Sequence, residues 1–105
     1  MISKSGYRLT PDAQEELIEI RRYTLDQWGK AQSQKYLSEL RQTIKLLSET
    51  PTIGKKCDEL GAGIFSFPHA SHVIYYMLYE GHIVVFGVLH KSMVPLIHLN
   101  DRSSI

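Results

Sequence analysis

The side chains in this sequence that could carry out chemistry are its histidines, all of which lie in the C-terminal part of the chain. The five are His69, His72, His82, His90 and His98. Imidazole exchanges protons near neutral pH and binds transition metals, and Lys91 places a cation beside His90. Three interpretations are open for the group His69, His72 and His90. The simplest is hydrogen bonding at strand ends, and the others are a zinc site and acid–base cleavage of RNA.

A zinc site would need three or four ligands at suitable spacing. His69-x-x-His72 supplies two, and Cys57 could be a distant third, but nothing in the sequence fixes the three together. Cys57 itself lies among charged residues in a predicted loop, without a neighbouring base that would make it a nucleophile. We therefore predict no metal site and no cofactor.

RNA cleavage by acid–base catalysis needs a proton-transfer group and cations that bind the scissile phosphate. His90 with Lys91, or His72 with Arg102, could fill these roles. However, no Arg or Lys occurs between Lys56 and Lys91, the segment that contains most of the predicted strands. We therefore expect that the protein is not an enzyme, and the same three histidines remain the catalytic candidates for the ribonuclease alternative.

A predicted β-hairpin over Ser71–His90 positions these histidines. Two apolar strands, His72–Tyr79 and His82–Leu89, flank Glu80-Gly81, and Gly in the second place favours a two-residue turn. Such a turn fixes the pairing of the strands. The expected pairs are Tyr79 with His82, Met77 with Val84, Tyr75 with Phe86, and Val73 with Val88. His72 and His90 then lie at the same open end of the hairpin, so the group His69, His72 and His90 should gather there.

Both faces of this hairpin are apolar, although a half-buried hairpin normally alternates apolar and polar residues. The face that we call the aromatic face carries Tyr75, Met77, Tyr79, Val84 and Phe86. The opposite face carries Ile74, Tyr76, Leu78, Ile83, Val85 and Leu89, and we expect it to form the core. No remaining segment is expected to cover the aromatic face. It is therefore the predicted partner surface, and the free protein should self-associate.

Two helices precede the hairpin. Thr10 as N-cap and Pro11 at the first helical position predict a helix over residues 11–28, and a second helix begins at Lys30 and ends near Thr50. Gly29 lies between them, so the pair should form a helical hairpin that covers one face of the sheet. Trp28 and Tyr36 are assigned to the core or to the seam of this helical hairpin.

Shorter elements complete the predicted order βααβββ, an α+β fold. They are a strand at 6–9, a loop at 51–63, a strand at 64–67, and a helical turn around 95–99. We expect a single domain over residues 1–105, with a core at about 7–99 and a frayed tail at 100–105.

Charge and composition limit the choice of partners. The 105 residues contain 12 basic and 11 acidic side chains, which are interspersed. No polybasic stripe indicates nucleic-acid binding, so we expect no direct sequence-specific contact with nucleic acid. We find no signal peptide and no apolar run of about 20 residues, so we expect a soluble, cytoplasmic protein without a membrane partner.

Several short motifs are distributed over the predicted helices, loops and strands. They are Leu9-Thr10-Pro11, Tyr23-Thr24, Gln27-Trp28-Gly29, Pro51, Gly54, Asp58-Glu59-Leu60, Ser71-His72-Val73-Ile74, Tyr76, Val88-Leu89-His90, Met93 and His98-Leu99. In this order, over about residues 7–99, the chain resembles the ParE toxins of bacterial type II toxin–antitoxin systems. The resemblance implies the RelE/ParE-like fold, a helical hairpin packed on one face of a small, mainly antiparallel sheet.

The resemblance also implies partners. One is a cognate antitoxin, whose C-terminal segment is disordered when free and folds on the toxin as helix and strand; the aromatic face is the expected contact. The other is DNA gyrase, whose inhibition would block replication and stabilise a plasmid or genome. We expect gyrase to bind the helical hairpin and the C-terminal segment, with Lys91, Met93, His98 and Arg102 as candidate contacts.

Members of the RelE branch instead cleave mRNA on the ribosome, using basic and tyrosine side chains. Met77 follows Tyr76 here, and the absence of Arg and Lys between Lys56 and Lys91 favours gyrase inhibition over a ribosome-dependent endoribonuclease. Three positions depart from the ParE pattern: Phe65 and Met77, where Arg is common, and Val94, where Asp often follows the Met. A protein of this fold with little remaining toxicity is therefore a further alternative.

Overall fold

The helical hairpin forms where the sequence predicts it, in a computed structural model that describes residues 6–99 and Arg102. Helix α1 spans Pro11–Trp28 and helix α2 spans Lys30–Glu49. The Thr10 hydroxyl caps α1 by accepting a hydrogen bond from the Ala13 N–H at 3.2 Å. Gly29 joins the helices with φ 91°, a conformation that glycine adopts without strain, so one residue is enough to reverse the chain.

The five strands form one sheet in the order β1-β5-β4-β3-β2. The strands are β1 Tyr7–Leu9, β2 Lys55–Lys56, β3 Ile64–His69, β4 His72–Tyr79 and β5 His82–His90. Strand β1 runs parallel to β5, and the other pairs are antiparallel. A short helix, α3, spans Pro95–His98, as the sequence predicts. The α+β fold with a helical hairpin and a mainly antiparallel sheet is therefore confirmed.

Two predictions about the strands before the hairpin are wrong. The predicted loop at 51–63 contains β2, which is an exposed edge strand of two lysines and has no apolar alternation that would indicate it. Strand β3 continues through Pro68 to His69 instead of ending at Phe67. Proline is tolerated at this point because β2 pairs only with Phe65 and Ser66, which leaves the Pro68 nitrogen side without a strand partner.

The hairpin keeps the predicted pairing only near its turn. Glu80 and Gly81 have φ values of 49° and 83°, as a type I′ turn requires, and Tyr79 pairs with His82. After Tyr76 pairs with Val85, one extra residue in β5 forms a β-bulge.

Because of the bulge, two of the predicted residue pairs are wrong, and two residues lie on the opposite face of the sheet from the predicted one. Tyr75 pairs with Gly87, not with Phe86, and Val73 pairs with Leu89, not with Val88. Because side chains alternate along a strand, the extra residue moves Val88 to the helix side of the sheet and Leu89 to the other side.

The main core lies between the helical hairpin and the sheet. Its buried members are Ala13, Leu17, Ile20, Tyr36, Leu37, Leu40, Ile44, Leu47, Phe65, Ile74, Tyr76, Ile83, Val85 and Val88. Apart from the adjacent pair Tyr36 and Leu37, the helical residues of this set recur every three or four positions, so each helix turns one apolar stripe to the sheet. Tyr36 is buried in the core, and Trp28 contacts it at the seam of the helical hairpin with ring centroids 5.5 Å apart, while 45% of the Trp28 surface stays exposed.

The far side of the sheet has a cover of its own, contrary to prediction. A second cluster contains Cys57, Ile64, Tyr75, Phe86, Leu89 and Leu99, with Leu60, Val73, Met77 and Met93 packed against it. The loop around Cys57 and the segment that follows β5 supply this cover. Phe86 is only 1% exposed, and Tyr75 and Val84 are also buried, so the prediction of an open aromatic face is wrong for these three residues. Met77 is half-buried, and Tyr79 is 41% exposed.

A carboxylate on α1 ties the C-terminal segment to the sheet. Glu16 Oε2 accepts a hydrogen bond from the Arg102 guanidinium at 2.7 Å, and Glu16 Oε1 accepts one from the Val88 N–H at 2.9 Å. Leu99 lies so close to β5 that a Cβ on Gly87 would be 2.6 Å from its Cδ2 atom. Arg102 is the only residue of the predicted frayed tail that the structure describes; the others lie outside the described residues.

We predict that Arg102→Gln lowers the free energy of unfolding by about 1–2 kcal/mol, because it removes a charged hydrogen bond between two largely buried side chains. The loosened C-terminal segment should also increase the fluorescence of a bound hydrophobic dye. The matched control is Arg22→Gln, whose bond to Glu19 is exposed and should contribute less than about 0.5 kcal/mol. Equal losses in urea unfolding of the two variants would contradict a role for Arg102 in holding the segment.

Candidate functional site

The pairing of β3, β4 and β5 brings the three histidines of the predicted group together at one end of the sheet. His69 lies opposite His72, and His72 lies opposite His90. The ring centroids of His72 and His90 are 5.6 Å apart. The expectation that these histidines gather is confirmed, although the bulge places His90, not Leu89, opposite His72.

The Nδ1 atoms of His72 and His69 form hydrogen bonds with hydroxyl groups of α2. The Tyr36 hydroxyl lies 2.7 Å from His72 Nδ1 and 3.3 Å from the His69 carbonyl oxygen. Both contacts are satisfied when His72 Nδ1–H donates to Tyr36 and Tyr36 donates to the carbonyl. Thr43 Oγ1 lies 2.9 Å from His69 Nδ1, and His90 Nδ1 accepts a hydrogen bond from the Ser92 N–H at 3.1 Å.

The surroundings of His72 and His69 favour the neutral forms of these two side chains. Burial, together with the nearby His90 and His69, lowers the pKa of His72 to about 4. Burial also lowers the pKa of His69, an effect that Glu39 partly opposes. A neutral His72 whose Nδ1 is bonded to Tyr36 is not poised to donate a proton at pH 7. The arrangement instead fastens the strand ends to α2.

The other ligands and cations proposed for this group lie elsewhere. Arg102 is bonded to Glu16 and is 3.7 Å from the Asp12 carboxylate, so it does not pair with His72. The Cys57 thiol belongs to the second cluster and lies 3.2 Å from Ser66 Oγ. Within residues 6–99 and Arg102, no group of three His, Cys, Asp or Glu side chains is placed to hold a metal ion.

The four candidate gyrase contacts differ in how available they are. Lys91 and His98 are exposed, whereas Met93 packs partly against the second cluster and Arg102 is bonded to Glu16.

Two of the positions that depart from the ParE pattern, Phe65 and Val94, lie in different surroundings. Phe65 is buried and stacks on Tyr76 with ring centroids 5.4 Å apart, and Val94 is exposed.

A groove of about 590 Å³, here called the inner groove, lies between α1 and the far end of β5. Its lining residues are Glu16, Glu19, Ile20, Tyr23, Thr24, Trp28, Ser71, His72, Val88, Leu89, His90 and Met93. Strand β1 pairs with β5 only at Ile83–Val85, so the β5 edge that follows faces this groove. Tyr23 and Trp28 on α1 are exposed at its rim.

The inner groove is not among the sites predicted from the sequence. Its α1 wall could have been suspected from Tyr23, a large aromatic residue that lies beside arginines on the exposed side of the helical pattern. Its other wall depends on the bulge, which has no local signal in the sequence. The groove combines an apolar lining with a strand edge, which are the features that bind an extended or helical peptide.

We predict that the free energy of unfolding falls as the pH is lowered from about 6.5 towards about 4, and that His72 accounts for part of this loss. The unfolded chain binds a proton at His72 near its ordinary pKa of 6.5, whereas the folded chain resists protonation until about pH 4. His72→Gln should therefore reduce the loss of unfolding free energy between these pH values by about 2 kcal/mol. This figure is smaller than the whole pKa shift would give, because the site opens to the inner groove.

The control for this measurement is His98→Gln, which makes the same substitution at an exposed histidine outside the histidine group. Urea unfolding at several pH values gives the slopes directly. A His72→Gln profile parallel to that of the unsubstituted protein would show that His72 is not protonated differently in the folded and unfolded states.

Neither α1 nor α2, nor any shorter helix among the described residues, has the length and hydropathy of a membrane-spanning segment.

The family model described as "ParE toxin of type II toxin-antitoxin system, parDE" matches residues 7–95. The chain is 41% identical to Toxin ParE1 of Mycobacterium tuberculosis (strain ATCC 25618 / H37Rv) over 90 residues. These aligned residues are 85% of this chain and 92% of that protein.

Two further relatives extend the comparison. Toxin ParE1 of Caulobacter vibrioides is 34% identical over 93 residues, which is 89% of this chain and 96% of that protein. Toxin ParE of Escherichia coli is 30% identical over 99 residues, which is 93% of this chain and 96% of that protein. The match of the family model to most of the described residues, together with these three relatives, shows that the chain belongs to the ParE toxin family of type II toxin–antitoxin systems.

Proposed function

We propose that this ParE-family toxin acts in the cytoplasm by inhibiting DNA gyrase, and that a cognate antitoxin neutralises it by binding in the inner groove. Family membership supports the toxin role and the existence of an antitoxin partner. The choice of gyrase inhibition over mRNA cleavage rests on one observation, the engagement of the histidine group in structural hydrogen bonds. His72 is held neutral by burial beside Tyr36, and Arg102, the cation that could have bound a phosphate beside it, is bonded to Glu16 instead.

The inner groove supports the proposed antitoxin site through its shape and lining. An extended segment could lie beside the β5 edge after Val85, where the Val88 N–H already bonds to Glu16, and its apolar side chains could pack against Ile20, Tyr23 and Trp28. Of the residues first expected to bind the antitoxin, Tyr79 and Met77 retain accessible surface and remain candidates for a second contact. Lys91 and His98 remain the accessible candidates for gyrase.

The target is tested with purified toxin, gyrase, supercoiled DNA and ATP, beside a parallel reaction with ribosomes and mRNA. We expect lost supercoiling or cleaved DNA, reversal by the antitoxin, and intact mRNA. A His69→Gln/His90→Gln variant, which keeps the buried His72, should inhibit gyrase as the unsubstituted toxin does. Codon-positioned mRNA cuts that this variant no longer makes would establish the ribonuclease alternative, and no effect in either reaction would indicate a protein of little toxicity.

The antitoxin site is tested by substitution at the groove. Trp28→Ala should weaken binding of the cognate antitoxin by about tenfold to a hundredfold, because it removes a large exposed aromatic side chain from the rim. The control is Leu46→Ala on α2, which is 46% exposed, about the same as Trp28 at 45%, and does not line the groove. Calorimetric titration that finds equal affinity for the two variants would place the antitoxin elsewhere.

A further inference from the structure

A second groove, here called the outer groove, lies between α1 and α2 on the surface of the helical hairpin. It measures about 350 Å³ and is lined by Arg21, Leu25, Lys30, Ser33, Gln34, Leu37, Ser38 and Arg41. Three of these eight residues are cations and none is acidic. The ion pairs within residues 6–99 and Arg102 do not involve Arg21, Lys30 or Arg41.

The excess of positive charge is local to this groove. The whole chain contains 12 basic and 11 acidic residues, so a balanced surface would place a carboxylate near most cations. Two carboxylates of α1 are already engaged, Glu16 with Arg102 and Glu19 with Arg22. Three like charges around one groove repel each other within a screening distance of about 8–10 Å, and an anionic ligand would relieve that repulsion.

The lining between the cations indicates what kind of anion fits. Leu25 is exposed and Leu37 forms part of the floor, while Gln34 and Ser38 add uncharged polar groups. The lining contains no aromatic side chain on which a nucleic-acid base could stack. A peptide with carboxylates on both sides of one apolar side chain matches the groove better than a phosphate backbone does, because the apolar side chain can contact the leucines.

The last turn of α1 separates the two grooves. Tyr23 and Trp28 line the inner groove, and Leu25 lines the outer groove on the other side of the same helix. A helix with its side chains is about 10–12 Å across, which an extended chain covers in about four residues. A single partner segment could therefore leave the inner groove, pass the end of α1 near Gly29, and enter the outer groove.

We propose that the outer groove binds an acidic segment of the cognate antitoxin, with an apolar side chain on Leu25 and carboxylates on Arg21 and Arg41. The proposal rests on the antitoxin site proposed above and extends it around the end of α1. A segment that becomes ordered on binding loses conformational entropy, and contacts in two grooves offset more of that loss than contacts in one.

The test is the affinity of the cognate antitoxin for an Arg21→Glu/Arg41→Glu variant, measured by calorimetry at low salt and at about 0.3 M salt, where charges are screened beyond about 6 Å. We expect the affinity to fall by about a hundredfold at low salt and its salt dependence to decrease. The matched control is Lys55→Glu/Lys56→Glu, which makes the same change in net charge on the exposed strand β2 and should stay within about threefold of the unsubstituted toxin.

Other outcomes separate this proposal from its alternatives. If the glutamate variant does not fold, as judged by circular dichroism, Arg21→Gln/Arg41→Gln should still weaken binding by about tenfold. Unchanged antitoxin affinity in a folded variant would overturn the proposal. If the variant also lost gyrase inhibition or duplex-DNA binding while its antitoxin affinity stayed normal, the groove would belong to that other partner. Failure of the unsubstituted toxin to inhibit gyrase would refute the proposed target without affecting the antitoxin measurement.

Discussion

One extra residue in β5 determines how both sides of the sheet are covered. The bulge opposite Tyr75 moves Val88 towards α1, where its N–H bonds to Glu16, and turns Leu89 towards the far side, where it packs in the second cluster. It also brings Gly87 opposite Tyr75, and the absence of a Cβ there lets Leu99 lie against the sheet. The C-terminal segment, the Arg102 contact and the wall of the inner groove all depend on this local change of register.

Elements with strong local signals could be predicted from the sequence. Thr10 and Pro11 indicate the start of α1, Gly29 marks the reversal between the helices, and Glu80-Gly81 gives the hairpin turn, because each signal depends on backbone chemistry within a few residues. The bulge could not be predicted. A change of register is visible when it would move polar residues into the core, and here both faces of the hairpin are apolar, so either register buries apolar side chains.

The far-side cover and the state of the histidines were beyond prediction for a different reason. The cover comes from a loop and a C-terminal segment without periodicity, and its residues Cys57 and Leu99 give no sign of where they pack. The histidine group was predicted from strand pairing alone, but the hydrogen bonds of His72 and His69 are made with Tyr36 and Thr43 of α2, which are 36 and 26 positions distant in the chain. Contacts of this range follow from tertiary packing and have no local pattern.

The lone cysteine makes the far-side cover open to kinetic measurement. Cys57 lies buried in the second cluster with its thiol beside Ser66 Oγ, under the same cover that includes Leu99. A thiol reagent can modify it only when that cover moves away, so the rate of modification reports local opening of the cover separately from global unfolding. The chain thus contains its own single-site reporter, and no engineered label is needed to follow how often the loop around Cys57 or the C-terminal segment leaves the sheet.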